Sequence, residues 1–292
     1  MILLTAALVA SLDSGVVRHI EVAPGEILHT TVIGSGEPVV LIPGIFGGAY
    51  GYRKITGPLV QRGYRCIVIE PLGYGESSYP ADADYSFTAQ TERVRRALDS
   101  LGVRQALFIA SSTGASIALR LAIANPELVR GVLSISGGPS ESAATPGMKK
   151  AFRMGGFLTK LAVNEGKLRH DVRKEIVKNS GDTTWVTQRV IREYTAGQAA
   201  DVDGAIDALR SMSKSKETQS LQDHLDDIRV PVRLLVGGVQ HPSGVKQAER
   251  NLLEEKIPDF AIDSVPGSGQ YVHEEQPQAV LKALGDLDQA AH

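Results

Sequence analysis

The sequence predicts an α/β fold, a doubly wound, mostly parallel sheet with an inserted helical cap. Three patterns predict it. Continuous apolar runs at 39–42 and 66–69 suit strands buried on both faces. Helical segments alternate with such runs up to about residue 139, as parallel βαβ units require. From 140 to 225 the rhythm changes to helical segments with no convincing strand, and then the sheet pattern resumes. The expected division is a core of residues 16–139 and 226–292, a cap of residues 140–225, and an N-terminal apolar segment, 1–15.

Residues 20–33 read as a hairpin about Pro24-Gly25, closed by Gly34-Ser35-Gly36. The run 39–42 ends at Pro43-Gly44, and a helix over 52–61 is stopped by Gly63. Residues 64–70 form the next buried strand. Thr88 is expected to cap a helix that runs to Ser100, with Val94, Leu98 and Leu101 on one face. A strand at 106–110 leads into a helix at 114–125, closed before Pro126, and Gly137-Gly138-Pro139 breaks the strand 132–136. Within the insert, helices are expected over 149–163, 167–179, 184–194 and 202–211. Strands at 230–236 and 260–265 complete the sheet. A final helix begins at Pro277, a residue suited to the first helical position.

A chain of 292 residues, 42% hydrophobic and 22% charged, can bury one large core. Its formal net charge of -2 supplies no strong field for nucleic acid or an anionic membrane. The single cysteine, Cys66, allows no internal disulfide and reads as a small buried hydrophobe. Residues 1–10 are apolar but too short to span a bilayer, and they lack a positive flank. A signal remnant, a packed short helix and a disordered start remain open. The missing positive flank favours a cytoplasmic protein, whereas a signal remnant would mean export. No other segment reads as membrane-spanning, and the sequence leaves the oligomeric state open.

Ala110-Ser111-Ser112-Thr113-Gly114 follows a strand and opens a helix. A turn this tight needs small residues two before and two after the serine, and Ala110 and Gly114 supply them. Ser112 would then sit at the positive end of the helix. The pattern resembles the nucleophile elbow G-x-S-x-G of α/β-hydrolases, with Ala110 for the first Gly. Residues 40–47 are similar to that family's H-G-x-x-G loop, with Pro43 where His is usual, and 70–77 to its D-x-x-G-x-G-x-S loop, with Glu70 for Asp. Residues 125–129 resemble the segment after the elbow helix, and 267–277 the family's G-x-G-H-x-x-x-x-E-x-P. The resemblance spans about residues 20–288. It implies Ser112 as nucleophile, the Ile45 and Thr113 N–H groups as an oxyanion hole, a helical cap, and no cofactor.

The same alignment changes the chemistry. Gln270 occupies the histidine position, and Gln240 the acid position after the strand 232–236. Glutamine cannot take a proton from serine at neutral pH. In a well-studied serine protease, losing the triad histidine costs on the order of a millionfold in kcat. A residual ~10³–10⁴ over water survives on the oxyanion hole and binding. His273 and His241 are the candidates for a displaced base, although His273 also reads as a structural residue near the last helix. Glu141 lies where some members carry their acid. His170 and His224 read as surface residues, and His19, His29 and His292 as structural or solvated; none has metal-ligand spacing. Gly44, Gly47 and Gly48 do not follow the dinucleotide-binding glycine pattern.

The basic residues Lys149, Lys150, Arg153, Lys160, Lys167, Arg169, Arg173 and Lys174 read as a solvated helical face. Phe152, Met154, Phe157, Leu158 and Leu161 are placed to line the cap's inner face over an apolar pocket. The expected partner is a small apolar organic substrate or ligand. Three functions fit: an atypical enzyme on a carbonyl or ester substrate, working by weak hydrolysis or a lyase, cyclase or isomerase step; an inactive pseudo-hydrolase that binds a ligand or partner; and an esterase with His273 or His241 as base.

Overall fold

A computed structural model of the chain describes residues 15–143 and 163–292. The expected helix over 149–163, its apolar face, Lys149, Lys150, Arg153 and Lys160, and the segment 1–14 lie outside the described residues. The strands are β1 (Val16–Ala23), β2 (Glu26–Ile33), β3 (Glu37–Ile42), β4 (Tyr64–Ile69), β5 (Ala106–Ser111), β6 (Val129–Ile135), β7 (Val232–Gly237) and β8 (Phe260–Val265). They form one sheet in the order β1-β2-β4-β3-β5-β6-β7-β8. The β1–β2 and β2–β4 pairs are antiparallel, and every later pair is parallel.

Alternation along the strands decides the layers. Val40 and Ile42, Ile67 and Ile69, and Ala106, Phe108 and Ala110 face one core. Val39 and Leu41, Cys66 and Val68, and Leu107 and Ile109 face the other. The first core is covered by α2 (Phe87–Ser100) and α3 (Thr113–Ala124), the second by α1 (Arg53–Gln61) and the final helix α10 (Pro277–Ala290). Cys66 is fully buried, and burial pushes its thiol up to about 12, as a packed hydrophobe requires. Strand order reverses at β3, which lies between β4 and β5. The loops leaving β3 and β5 therefore open a crevice at one edge of the sheet, where open α/β sheets bind ligands.

Between β6 and β7 the described helices are α4 (Glu165–Asn179), α5 (Gln188–Tyr194), α6 (Ala196–Ala200) and α7 (Val202–Lys214). They carry a separate apolar cluster: Val172, Ile176, Trp185, Val186, Val190, Ile191 and Tyr194. Phe46 and Tyr271 of the core pack against it, so the cluster lies over the crevice. No described helix is long and apolar enough to cross a membrane.

Three local expectations are corrected. The N-cap of α2 is Ser86, whose hydroxyl accepts from Ala89 N–H at 3.2 Å, and not Thr88. Thr88 instead gives its N–H and hydroxyl to Glu217 at 3.0 and 2.8 Å, a contact 129 residues away in sequence. β6 starts at Val129 rather than 132, because Val129 pairs with Ala106. A helix the periodicity did not announce, α8 (Gln247–Lys256), fills the connection from β7 to β8; Leu253 is its one buried residue, too few to mark an apolar face.

A short helix, α9 (Val272–Glu275), precedes α10. Its Glu274 is buried and joins three elements. It pairs with Arg53 of α1, accepts from Tyr194 of α5 at 2.7 Å, and lies 3.4 Å from Lys54 Nζ.

Two glycines make the packing testable. A Cβ on Gly197 of α6 would collide with the Gly75 backbone, while nothing lies within 4 Å of a Cβ on Gly285 of α10. Gly197→Ala should therefore destabilise the fold by ~1–3 kcal/mol through overpacking. Gly285→Ala should stabilise it by ~0.5–1 kcal/mol as a helix-interior glycine removed. Urea unfolding midpoints of the two variants, read against the parent, check both signs.

Candidate active site around Ser112

β5 ends at Ser111 and α3 begins at Thr113, which leaves Ser112 alone on the turn between them. Its φ of 51° and ψ of -121° are strained values for a residue with a Cβ. The strain is held by close contacts. Ser112 N–H donates to Ile135 O at 3.0 Å. A Cβ on Gly114 would lie 2.5 Å from Ile42 O, so the position two after the serine has to be bare. On the other side Ala110 is fully buried. The hydroxyl is thereby pushed out over the sheet edge.

The loop after β3 passes directly beside it. A Cβ on Gly44 would lie 3.2 Å from Ser112 Cβ and 3.7 Å from its Oγ. Gly44 N–H donates to Ser111 Oγ at 3.2 Å, and that hydroxyl lies 3.0 Å from Tyr52 Oη, which donates to Ile42 O. Gln198 of α6 donates Nε2 to Ile45 O at 3.0 Å. Ala49 N–H donates to Glu70 Oε1 at 2.8 Å. Four anchors thus fix the loop, while the Ile45 N–H donates to no acceptor among the described residues. Thr113 N–H sits at the first position of α3, where a helix supplies no acceptor of its own.

Glu70 is a buried hub. Its second oxygen accepts from Glu76 N–H at 2.6 Å, and His29 Nδ1 lies 3.3 Å from the first. His29 is itself buried, between Glu70 and Glu76, rather than solvated. Burial works to lower its pKa, but the two carboxylates outweigh this and raise it.

The two glutamines that align with the family's histidine and acid positions behave differently from each other. Gln270 donates Nε2 to Ser112 Oγ at 3.4 Å, and its backbone N–H bonds to Asn179 O at 2.8 Å. Glu275 steadies the loop by accepting from Gly269, Gly181 and Asp182 N–H. Gln240 is exposed and makes no hydrogen bond to Gln270 or Ser112. The site role expected of Gln240 thus has no contact with Ser112 or Gln270 behind it: its side chain, on the loop after β7, is open to water. Glu141 does not serve as the acid either. It is held by Arg120 at 2.7 Å, by the Ser220 hydroxyl at 3.2 Å and by Gln222 N–H at 3.1 Å.

Neither candidate base hydrogen-bonds to Ser112. His273 is buried, with its ring 5.4 Å from that of Tyr52 and 6.3 Å from that of Tyr271. Burial holds its pKa down, at about 4. His241 is half-buried, and burial followed by the nearby Arg250 lowers its pKa too. Among the described residues, no group of three or more His, Cys, Asp or Glu side chains is arranged to hold a metal ion. The supporting residues Tyr52, Ser111, Gln198 and Tyr194 escaped sequence reasoning, because their partners lie on other elements. For Glu70 the loop motif was the available signal.

A model of the alpha/beta hydrolase fold matches residues 37–170, which contain the oxyanion-type loop and the elbow. The chain has the α/β-hydrolase fold. The mouse protein described as an sn-1-specific diacylglycerol lipase is 23% identical over 259 residues, 84% of this chain and 79% of that protein. The pig bifunctional epoxide hydrolase 2 is 33% identical over 129 residues, but the match spans only 23% of that protein. Among solved structures, the epoxide hydrolase CorEH superposes on this chain with a TM-score of 0.77 at 20% identity, covering 93% of this chain and 98% of the other. The 2-hydroxy-6-oxo-6-phenylhexa-2,4-dienoate hydrolase of Rhodococcus has a TM-score of 0.75 at 16% identity, covering 94% and 99%. Such identities speak to the fold alone.

The depressed His273 pKa sets a pH dependence. The folded protein leaves this ring uncharged down to about pH 4, whereas an unfolded histidine takes its proton near 6.5. The unfolded state binds more protons in that window, so stability falls as pH drops through it. His273→Phe should remove this loss. Between pH 7 and pH 4.5 the parent should lose roughly 2–3 kcal/mol more unfolding free energy than the variant, read from urea titrations at the two pH values.

Proposed function

We propose that this α/β-hydrolase binds a small apolar carbonyl or ester compound over Ser112 and acts on it without a Ser–His–acid relay. The carbonyl oxygen would face the Ile45 and Thr113 N–H groups, and Phe46 and Tyr271 would border the apolar space. The reaction is weak ester hydrolysis, or a lyase, cyclase or isomerase step that needs polarisation of a carbonyl and little proton transfer.

The observation that carries this reading is the contact of Gln270 Nε2 with Ser112 Oγ at 3.4 Å. An amide is neither a base nor an acid at neutral pH, whichever way it is turned. It can orient the hydroxyl or a bound substrate atom, but it cannot take up the serine proton. The strained turn and the two N–H groups supply what remains: a placed hydroxyl and donors for developing negative charge. Likeness to a diacylglycerol lipase supports an ester substrate. Opening an epoxide through a covalent ester would call for a carboxylate nucleophile, and the elbow carries a hydroxyl. The absence of a base at Ser112 equally favours a second reading, in which the pocket binds its ligand without turnover.

Restoring the base separates the two. Gln270→His should raise hydrolysis of p-nitrophenyl butyrate by ~10²–10⁴, the usual worth of a positioned general base. Adding Gln240→Asp should raise it further only if the exposed loop after β7 can turn its side chain inward. Ser112→Ala should abolish the gain. A fluorophosphonate, read by intact-protein mass, should label Ser112 slowly in the parent and quickly in Gln270→His. No gain and no labelling in any variant would remove the enzymatic reading and leave the binding one.

A further inference from the structure

The helices α4 and α5 carry a second feature that the elbow chemistry does not use. Between them lies a cleft of about 350 Å³ whose walls include Arg169 and Arg173 from α4 and Gln188 and Arg192 from α5. Each pair is spaced by four residues, so each lies along one side of its own helix, and the two rows face each other. His170 joins the wall, and Ile191 contributes an apolar surface. No carboxylate lines this cleft.

The pairing of these groups is uneven. Arg169 is matched by Glu165 at 2.5 Å. Arg173 gives one guanidinium N–H to the Val186 carbonyl at 2.9 Å and has no acidic partner among the described residues. Arg192 is exposed, and its guanidinium forms no ion pair or hydrogen bond among the described residues; its carbonyl accepts from Thr195. Facing guanidinium groups repel, and a fold gains nothing by gathering them without an anion. Several other surface arginines are paired with acids: Arg95 and Arg96 with Glu92, Arg210 with Asp207, and Arg233 with Asp259.

Charge along the chain repeats the pattern. Residues 144–193 hold 11 Lys and Arg against 5 Asp and Glu, and the remaining residues hold 20 against 28. The small net charge of the chain conceals this separation. Among the described residues of this stretch, 163–193, the count is seven Lys and Arg against five Asp and Glu, so the excess on α4 and α5 themselves is small and the cleft's own arginines carry the attraction for an anion.

We infer that the cleft between α4 and α5 is a binding site for a phosphate group, gripped by the Arg173 and Arg192 guanidinium forks with Gln188 as a further donor. Arginine forks match the paired oxygens of a phosphate and hold it by charge-assisted hydrogen bonds. The phosphate can belong to a free phosphorylated molecule or to a lipid head group. In the second case, Ile191 would meet the first apolar carbons. The inner sides of the same two helices pack on the aromatic cluster with Phe46 and Tyr271, so the cleft is separated from Ser112 by that layer. The inference does not depend on whether Ser112 turns anything over.

The test uses the full chain and two probes. Inorganic phosphate is titrated calorimetrically at fixed ionic strength against chloride. Vesicles of three parts phosphatidylcholine to one part phosphatidylglycerol are pelleted with the protein, and pure phosphatidylcholine vesicles serve as the neutral control. Arg192→Gln should weaken binding about tenfold, because one charge-assisted fork is lost and the guanidinium makes no other hydrogen bond or ion pair among the described residues. Lys178→Gln removes the same charge from α4 outside the cleft and should leave binding unchanged. Loss with inorganic phosphate assigns a free ligand, and loss with the anionic vesicles alone assigns a lipid head group. Absence of binding to both probes overturns the inference, as does an equal response of Arg192→Gln and Lys178→Gln.

Discussion

Everything at the candidate site depends on how the chain turns at Ser112. A residue with a Cβ at φ 51° costs on the order of 1–2 kcal/mol, and the turn persists because its surroundings leave no other path. Ser112 N–H is bound to the end of β6, and Gly114 lets α3 approach the last carbonyl of β3. Gly137, after β6, is likewise bare where a Cβ would strike Ser112 O and Ala115. Three strand ends and one helix start therefore meet almost without side chains. The hydroxyl is the group this crowding leaves outside.

The neighbouring loop is held with comparable care, and from both halves of the molecule. Ser111 and Glu70 fix it from the sheet; Gln198 and Tyr194 fix it from the helices between β6 and β7. Tyr194 fills the space where Gly47 has no side chain, and its hydroxyl reaches the buried Glu274, which also pairs with Arg53. The donors that could face a substrate oxygen thus rest on a network joining the sheet, α1 and the inserted helices. The side chain that reaches Ser112 Oγ from the sheet's far edge is an amide, that of Gln270. Buried polar groups at such cost keep a binding geometry in place, whatever chemistry it serves.

The inserted helices have two characters. Their inner sides are apolar and aromatic, and their outer groove is lined by arginine. An apolar ligand near Ser112 and an anion near Arg192 would be served by opposite sides of the same helix pair. The layer between them is a single packed cluster in which Trp185 lies 5.8 Å from Tyr194 and 5.3 Å from Tyr271, ring to ring.

Most of the sheet, its flanking helices and the elbow were legible in the sequence, because these depend on local pattern; α8, with its single buried residue, was not. Runs such as Val39 to Ile42 are apolar whatever surrounds them, and Ala110, Ser112 and Gly114 carry the steric demand of their own turn. The substitution at position 270 was equally legible, since a family motif frames it. The partners of these residues were not legible. Gln270 reaches Ser112 and Gln240 does not, because the loop after β7 points its side chain outward. Glu141 is spent on Arg120, His273 is buried beside Tyr52, and Thr88 serves Glu217 rather than its own helix. Contacts between residues far apart in the chain leave no periodicity to read. Their geometry exists only once the sheet has brought the strand ends together.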